Sequence, residues 1–152
     1  MIRIRKFRNE DAIKAANIIK QGFLSLVPKF YSKKSVLWQI KENSPKNLIE
    51  RSKNINYFVA VENSKILGIG GYSSEKVHTF FVRPSLQGKG IGGKIIKKCL
   101  NKAKRDGLKE LKCWATFNAE PFYSKFGFKK KKKITLKTNK GSISFIEMVK
   151  TI

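Results

Sequence analysis

The residues of this chain best suited to chemistry are few and lie close together. His78 is the only histidine, Glu75 stands just before it, and a run of four glycines follows, Gly88, Gly90, Gly92 and Gly93, with Lys89 and Lys94 among them. Tyr123 lies about 30 residues beyond that run. An imidazole with an unperturbed pKa of roughly 6.5 can take a proton near neutral pH. Carboxylates and phenols are the other common proton carriers. The glycines point to a second task, because backbone N–H groups at a helix start have no partner in the helix and the helix dipole favours an anion there. Glycine also lets the backbone approach phosphate oxygens closely and adopt positive φ.

The elements that must position these groups can be read on either side. Residues 77–82 form an apolar strand that stops before Pro84, which cannot donate to a ladder. After the glycines, Ile91, Ile95, Ile96, Leu100 and Ala103 recur at the spacing of one helical face. The order is therefore strand, basic glycine-rich turn, helix. A Walker loop is excluded, since Gly88-Lys89 is followed by Gly90 where Ser or Thr is needed. A dinucleotide fingerprint fits G-x-G-x-x-G, and Glu110 lies about 20 residues on. But Glu110 opens a strand instead of ending one, and only about 40 residues remain after it.

Gln87-Gly88-Lys89-Gly90-Ile91-Gly92 resembles the Q/R-x-x-G-x-G/A loop of the GNAT superfamily of N-acetyltransferases. Ala119-Glu120-Pro121-Phe122-Tyr123-Ser124-Lys125-Phe126-Gly127-Phe128 resembles that family's later A-x-x-F-Y-x-K-x-G-F segment, and the two stand in the family's order. The resemblance is clear over about residues 57–130. It implies acetyl-coenzyme A as cosubstrate, with Gln87, Gly88, Lys89, Gly90, Ile91 and Gly92 at its pyrophosphate. Backbone groups of Phe81, Val82 and Arg83 would meet its pantetheine arm, and Asn118 and Phe122 would lie along it. Tyr123 aligns with a tyrosine acting as general acid near the thioester sulfur. The base would be His78, Glu75 or an ordered water. One departure is that many members carry an asparagine seven residues before the tyrosine, where this chain has Thr116, with Asn118 five before. No metal is implied, and no covalent enzyme intermediate is needed.

The fold expected is α/β (α+β): a mixed, twisted sheet of six to seven strands flanked by about four helices. The resemblance adds that the fourth and fifth strands are parallel and splayed. Strands are expected at about residues 2–7, 57–62, 66–72, 76–82, 108–114, 128–136 and 142–149. Helices are expected over about 12–23, 35–42, 45–52 and 119–125, besides the one after the glycines, with Asn9 as cap of the first and Gly127 ending the last.

At 152 residues, 41% of them hydrophobic, residues 1–152 read as a single domain able to bury about 70% of its unfolded surface. Without an apolar run of membrane or signal-peptide length, a soluble cytoplasmic protein is expected. Cys99 and Cys113 read as buried free thiols. The 34 basic and 10 acidic residues give +24, which suits attraction of polyanions. The lysines are scattered except for Lys129, Lys130, Lys131, Lys132 and Lys133, a block without interleaved aromatics that reads as a solvated edge strand. An N-acetyltransferase acting on a small-molecule or peptide amine, as monomer or homodimer, is the leading expectation. The alternatives are a nucleic-acid-binding protein and a coenzyme-binding module without activity.

Overall fold

The computed structural model describes all residues, 1–152. In chain order the elements are β1 (Arg3–Lys6), α1 (Ala12–Leu24), α2 (Lys33–Glu42), α3 (Pro45–Arg51), β2 (Asn56–Glu62), β3 (Lys65–Tyr72), β4 (Val77–Val82), α4 (Ile91–Arg105), β5 (Glu110–Ala115), α5 (Glu120–Lys125), β6 (Lys129–Thr138) and β7 (Gly141–Thr151). No helix is long and apolar enough to cross a membrane.

The seven strands form two antiparallel sheets, in the orders β1-β2-β3-β4 and β5-β7-β6, not the one mixed sheet expected. The five α-helices are those placed along the sequence, one more than the approximate count of four. One parallel bridge pairs the backbones of the two sheets, between Lys76 and Lys112, where the Lys112 N–H donates to the Glu75 carbonyl at 2.9 Å. Beyond it the ladder does not continue, because β4 carries a bulge. Ile69 of β3 faces Phe81, while Gly71 faces His78. A bulge bends its strand and increases its twist.

Alternation along β2 and β3 explains why helices cover both faces of the first sheet. Tyr57, Val59, Val61, Ile66 and Ile69 pack in one core with α1, α2 and α3. Their neighbours Phe58, Ala60 and Leu67 pack in a second core with α4 and the β5–β7 pair. Successive side chains of a strand point to opposite faces, so strands apolar at every position must be buried on both. In α4 the stripe Ile91, Ile95, Ile96, Cys99 and Ala103 is buried, and Leu100 packs at its border.

Two helix ends depart from or fulfil the sequence signals. Asn9 does not cap α1; residues Asn9–Asp11 form a 3-10 turn, and the Asp11 carboxylate accepts the Arg8 N–H at 2.8 Å. It also holds the Arg5 guanidinium through two bonds of 2.9 and 3.0 Å, which ties β1 to α1. Asp11 wins because it reaches back over the turn, and it is only 3% exposed. At the end of α5, Gly127 takes φ +92. Its N–H donates to Ser124 and that of Phe128 to Tyr123, the paired bonds of a Schellman cap. The five lysines at the start of β6 are all exposed, and β6 is the outer strand of its sheet.

Burial alone would raise the Asp11 pKa, but the bonds from Arg5 and the Arg8 N–H outweigh it and the net shift is downward. Asp11→Ala should therefore lower the unfolding free energy by about 2–4 kcal/mol, read from denaturant midpoints at neutral pH. The stabilisation is complete above the ordinary carboxylate pKa of roughly 4 and is lost as pH falls through the lower folded value. The gap between wild type and variant should close in acid.

Candidate active site

The bulge in β4 determines where the site's side chains go. Thr79 sits in it at φ +59, a left-handed conformation that is a genuine outlier for a β-branched residue. Such strain persists only where surrounding packing imposes it. Here Phe80 and Phe81 lock the strand from opposite faces. A Cβ on Gly70 would lie 2.6 Å from the Phe80 ring, so glycine is what admits that ring. Gly22 of α1 does the same for Phe81, which also packs on Phe23 at 4.8 Å between ring centroids.

With those two rings committed, His78 and Thr79 face a cavity of about 220 Å3 between β4, β5, α5 and the first three helices. Its walls include His78, Tyr123, Arg51, Lys76, Trp114 and Phe145. His78 Nε2 lies 2.9 Å from the Ser73 hydroxyl. Burial, then the charges of Lys76 and Arg51, push its pKa down to about 4, so the imidazole is neutral at physiological pH. Tyr123 is 7% exposed and packed edge-on by Phe80, Phe122 and Phe128. Burial, reinforced by the neighbouring Cys113 and Cys99, holds its pKa well above the ordinary phenol value. No fully buried side-chain polar atom lacks a partner. The Tyr123 hydroxyl has no protein partner, and the residue forms part of the cavity wall.

Glu75 is not in this group. Its side chain is exposed and does not line the cavity, while its carbonyl holds the bridge to β5. Asn118 is likewise exposed, in the 3-10 turn Phe117–Ala119, and lies off the cavity wall.

On the other side of the β4–β5 divergence lies the glycine loop. Gly88 and Gly90 adopt φ +80 and +81, and Gly90 caps α4. The N–H groups of residues 88–93 have no acceptor in the protein; the first α4 bond is from Lys94 to the Gly90 carbonyl, 3.1 Å. The glycines divide their roles. Around Gly88 and Gly90 a Cβ would meet nothing within 4 Å, so conformation is their reason. Gly92 and Gly93 lie against Phe122 and Phe126, where a Cβ would sit 3.1 and 3.0 Å from the rings, so close packing is theirs. Phe122 thus buttresses the loop from α5. Arg83 is anchored, its N–H on the Leu67 carbonyl at 2.9 Å and its Nε on Ile66 at 2.7 Å. The outer edge of β4 beyond Lys76, including Phe81 and Val82, has no neighbouring strand. A row of free N–H groups at a helix start, beside Lys89 and an open strand edge, fits a pyrophosphate carrying an extended amide arm.

Arg51, Lys76, Trp114, Ser73 and Thr79 were not legible as site residues. Lys76 and Arg51 are two among 34 basic residues with nothing in their spacing to single them out. In the structure Lys76 Nζ lies 3.6 Å above the Trp114 ring.

The depressed His78 value has a measurable consequence. Its ring-proton NMR signals should titrate near pH 4, not at roughly 6.5. The unfolded chain then binds the extra proton between those values, so stability should fall as pH drops from about 6.5 towards 4. A midpoint near the free value would mean that the cavity is water-filled and open at His78.

Comparison with known proteins matches the geometry. The family model described as acetyltransferase (GNAT) domain matches residues 20–152. A curated relative, an uncharacterized N-acetyltransferase of Methanocaldococcus jannaschii, is 32% identical over 77 residues, 49% of this chain, and the match spans only 34% of that protein's length. Among solved structures, a GCN5-related N-acetyltransferase of Rhodopseudomonas palustris superposes with a TM-score of 0.90 at 21% identity, over 99% of this chain and 95% of the other. The PaiA N-acetyltransferase of Thermoplasma acidophilum, solved in complex with coenzyme A, gives 0.83 at 20% identity over 100% and 99%. The ribosomal-protein-S18-alanine N-acetyltransferase of Escherichia coli gives 0.71 at 18% over 100% and 94%. On the family match over most of its length, this chain belongs to the GNAT family of acetyltransferases.

Proposed function

We propose that residues 1–152 act as one domain that moves the acetyl group of acetyl-coenzyme A directly to a primary amine, with Tyr123 as general acid and His78 as general base. The observation that carries this reading is a juxtaposition. A loop of six free N–H groups and a cavity holding His78 and Tyr123 flank the gap that opens where β4 leaves β5. A coenzyme laid through that gap would splay the two strands along its length, with its phosphates at residues 87–92 and its arm along Phe81, Val82 and Arg83. Phe122 would hold the loop in place, and Asn118 would touch the coenzyme only after turning inward from its exposed position.

Acetyl-coenzyme A supplies an acetyl group already activated as a thioester. The chain's residues then manage protons. His78 is unprotonated at neutral pH and can draw a proton from the acceptor ammonium, directly or through a water. Tyr123, kept protonated by burial, can give its proton to the departing thiolate. Glu75 would serve as base only by relay from outside the cavity.

Thermal unfolding tests the cosubstrate. Acetyl-coenzyme A at 100 times its Kd should add about 2.7 kcal/mol and raise the midpoint by roughly 2–8 °C. NADH and ATP at equal concentration and moderate salt should give much less. Equal shifts from all three would mean that the +24 charge merely collects anions and would remove the support for this reading. Tyr123→Phe should lower kcat by about 100-fold with coenzyme affinity nearly intact. An unchanged rate would exclude it as the acid.

A further inference from the structure

We propose that the accepting amine belongs to a molecule that also carries an anionic group, a carboxylate or a phosphate, seated between the Arg51 guanidinium and the Lys76 ammonium. The proposal rests on the acetyltransferase reading above and names its acceptor class. Both cations line the cavity that holds His78, and no Asp or Glu lines it. Arg51 is not a loose surface charge. Its Nη2 donates to the Glu42 carbonyl at 3.0 Å and to Asn43 Oδ1 at 2.8 Å, and its Nε to the Asn47 carbonyl at 3.4 Å. Those acceptors are all neutral, so the guanidinium is fixed in place with its charge unpaired and Nη1 without a protein partner.

Lys76 is held differently, its ammonium over Trp114. Burial lowers its pKa, opposed by the charges of Glu75 and Glu147, yet neither carboxylate forms an ion pair with it. Glu147 instead accepts from Trp114 Nε1 at 3.4 Å. Two half-buried, positioned cations without an ion-pair partner are unlike the exposed lysines of β6. They form a recess that a polycationic amine would be repelled from and that an anion would complete.

The arrangement also bears on the base. Burial first, and then the charges of Lys76 and Arg51, make His78 a weak acceptor of protons. An anion between them would offset both charges and, with the burial contribution left in place, recover part of its basicity when the acceptor is bound. The acceptor would thereby help to activate the group that deprotonates it.

The single histidine makes a clean test. Wild-type protein is titrated with N-acetylglycine, N-acetylglycine amide and inorganic phosphate at matched ionic strength while the His78 ring signals are followed across pH. N-acetylglycine or phosphate, and not the amide, should move those signals and raise the His78 pKa by about one. Whichever anion does so identifies the group. Arg51→Met and Lys76→Met should each weaken the response; melting curves show whether either variant has unfolded, and the other then decides. A response equal for acid and amide, or absent with both anions, overturns the proposal.

Kinetics separate it from the reading beneath it. Free amino acids should exceed their amides, or amino sugar phosphates their parent sugars, by about 10-fold or more in kcat/KM. Equal transfer to neutral or cationic amines would overturn the anion site and leave the acetyltransferase standing. An NMR response with no amine acetylated would do the reverse.

Discussion

A single irregularity in β4 determines the rest of the site. Because Thr79 takes a left-handed conformation, the strand has one residue too many against β3, and its course bends away from β5. The cavity and the glycine loop of the proposed site both lie along that divergence. The bridge at Lys76 and Lys112 keeps the two sheets together at one end, and the glycine loop closes the other. Between them the strand edge that a regular sheet would have satisfied stays free. The bulge is in turn held by two glycines, Gly22 of α1 and Gly70 of the paired strand β3, which leave room for the aromatic rings on either side.

The same economy appears in the glycine run. Four similar residues serve two unlike purposes, two giving the backbone a turn that no side chain favours and two letting the rings of α5 approach α4. That second pair links the glycine loop to the segment bearing Tyr123. The Schellman cap at Gly127 then fixes where that segment ends, with Tyr123 supplying one of the capped carbonyls. The two sequence signatures, so far apart in the chain, are thus one packed unit, and a change in either should be felt in the other.

Much of this was legible in the sequence, and what was not has physical reasons. The strand-glycine-helix unit, the α4 stripe and the exposed lysine strand follow from periodicity and turn chemistry, which are local. His78 and Tyr123, which line one cavity, could be singled out in the sequence because each is chemically conspicuous. The split into two sheets was missed, since nothing local announces a bulge at a threonine. The expectation of Asn9 as a cap fails because the reach of the Asp11 carboxylate back over a 3-10 turn is a tertiary fact shared with Arg5. Arg51 and Lys76 were hidden by abundance, and only burial and fixed partners distinguish them from the other basic residues.

Cys99 and Cys113 give the molecule a built-in clock. Both lie in the core around α4 and β5 at 0% and 1% exposure, and burial pushes both thiols up to about 12. A thiolate there is scarce and inaccessible while the chain is folded. Reaction with an alkylating reagent must wait for α4 to lift from the sheet, so the labelling rate reports how often that half of the core opens. A ligand spanning the loop and the cavity would slow the clock by holding α4 and α5 together, without touching either sulfur.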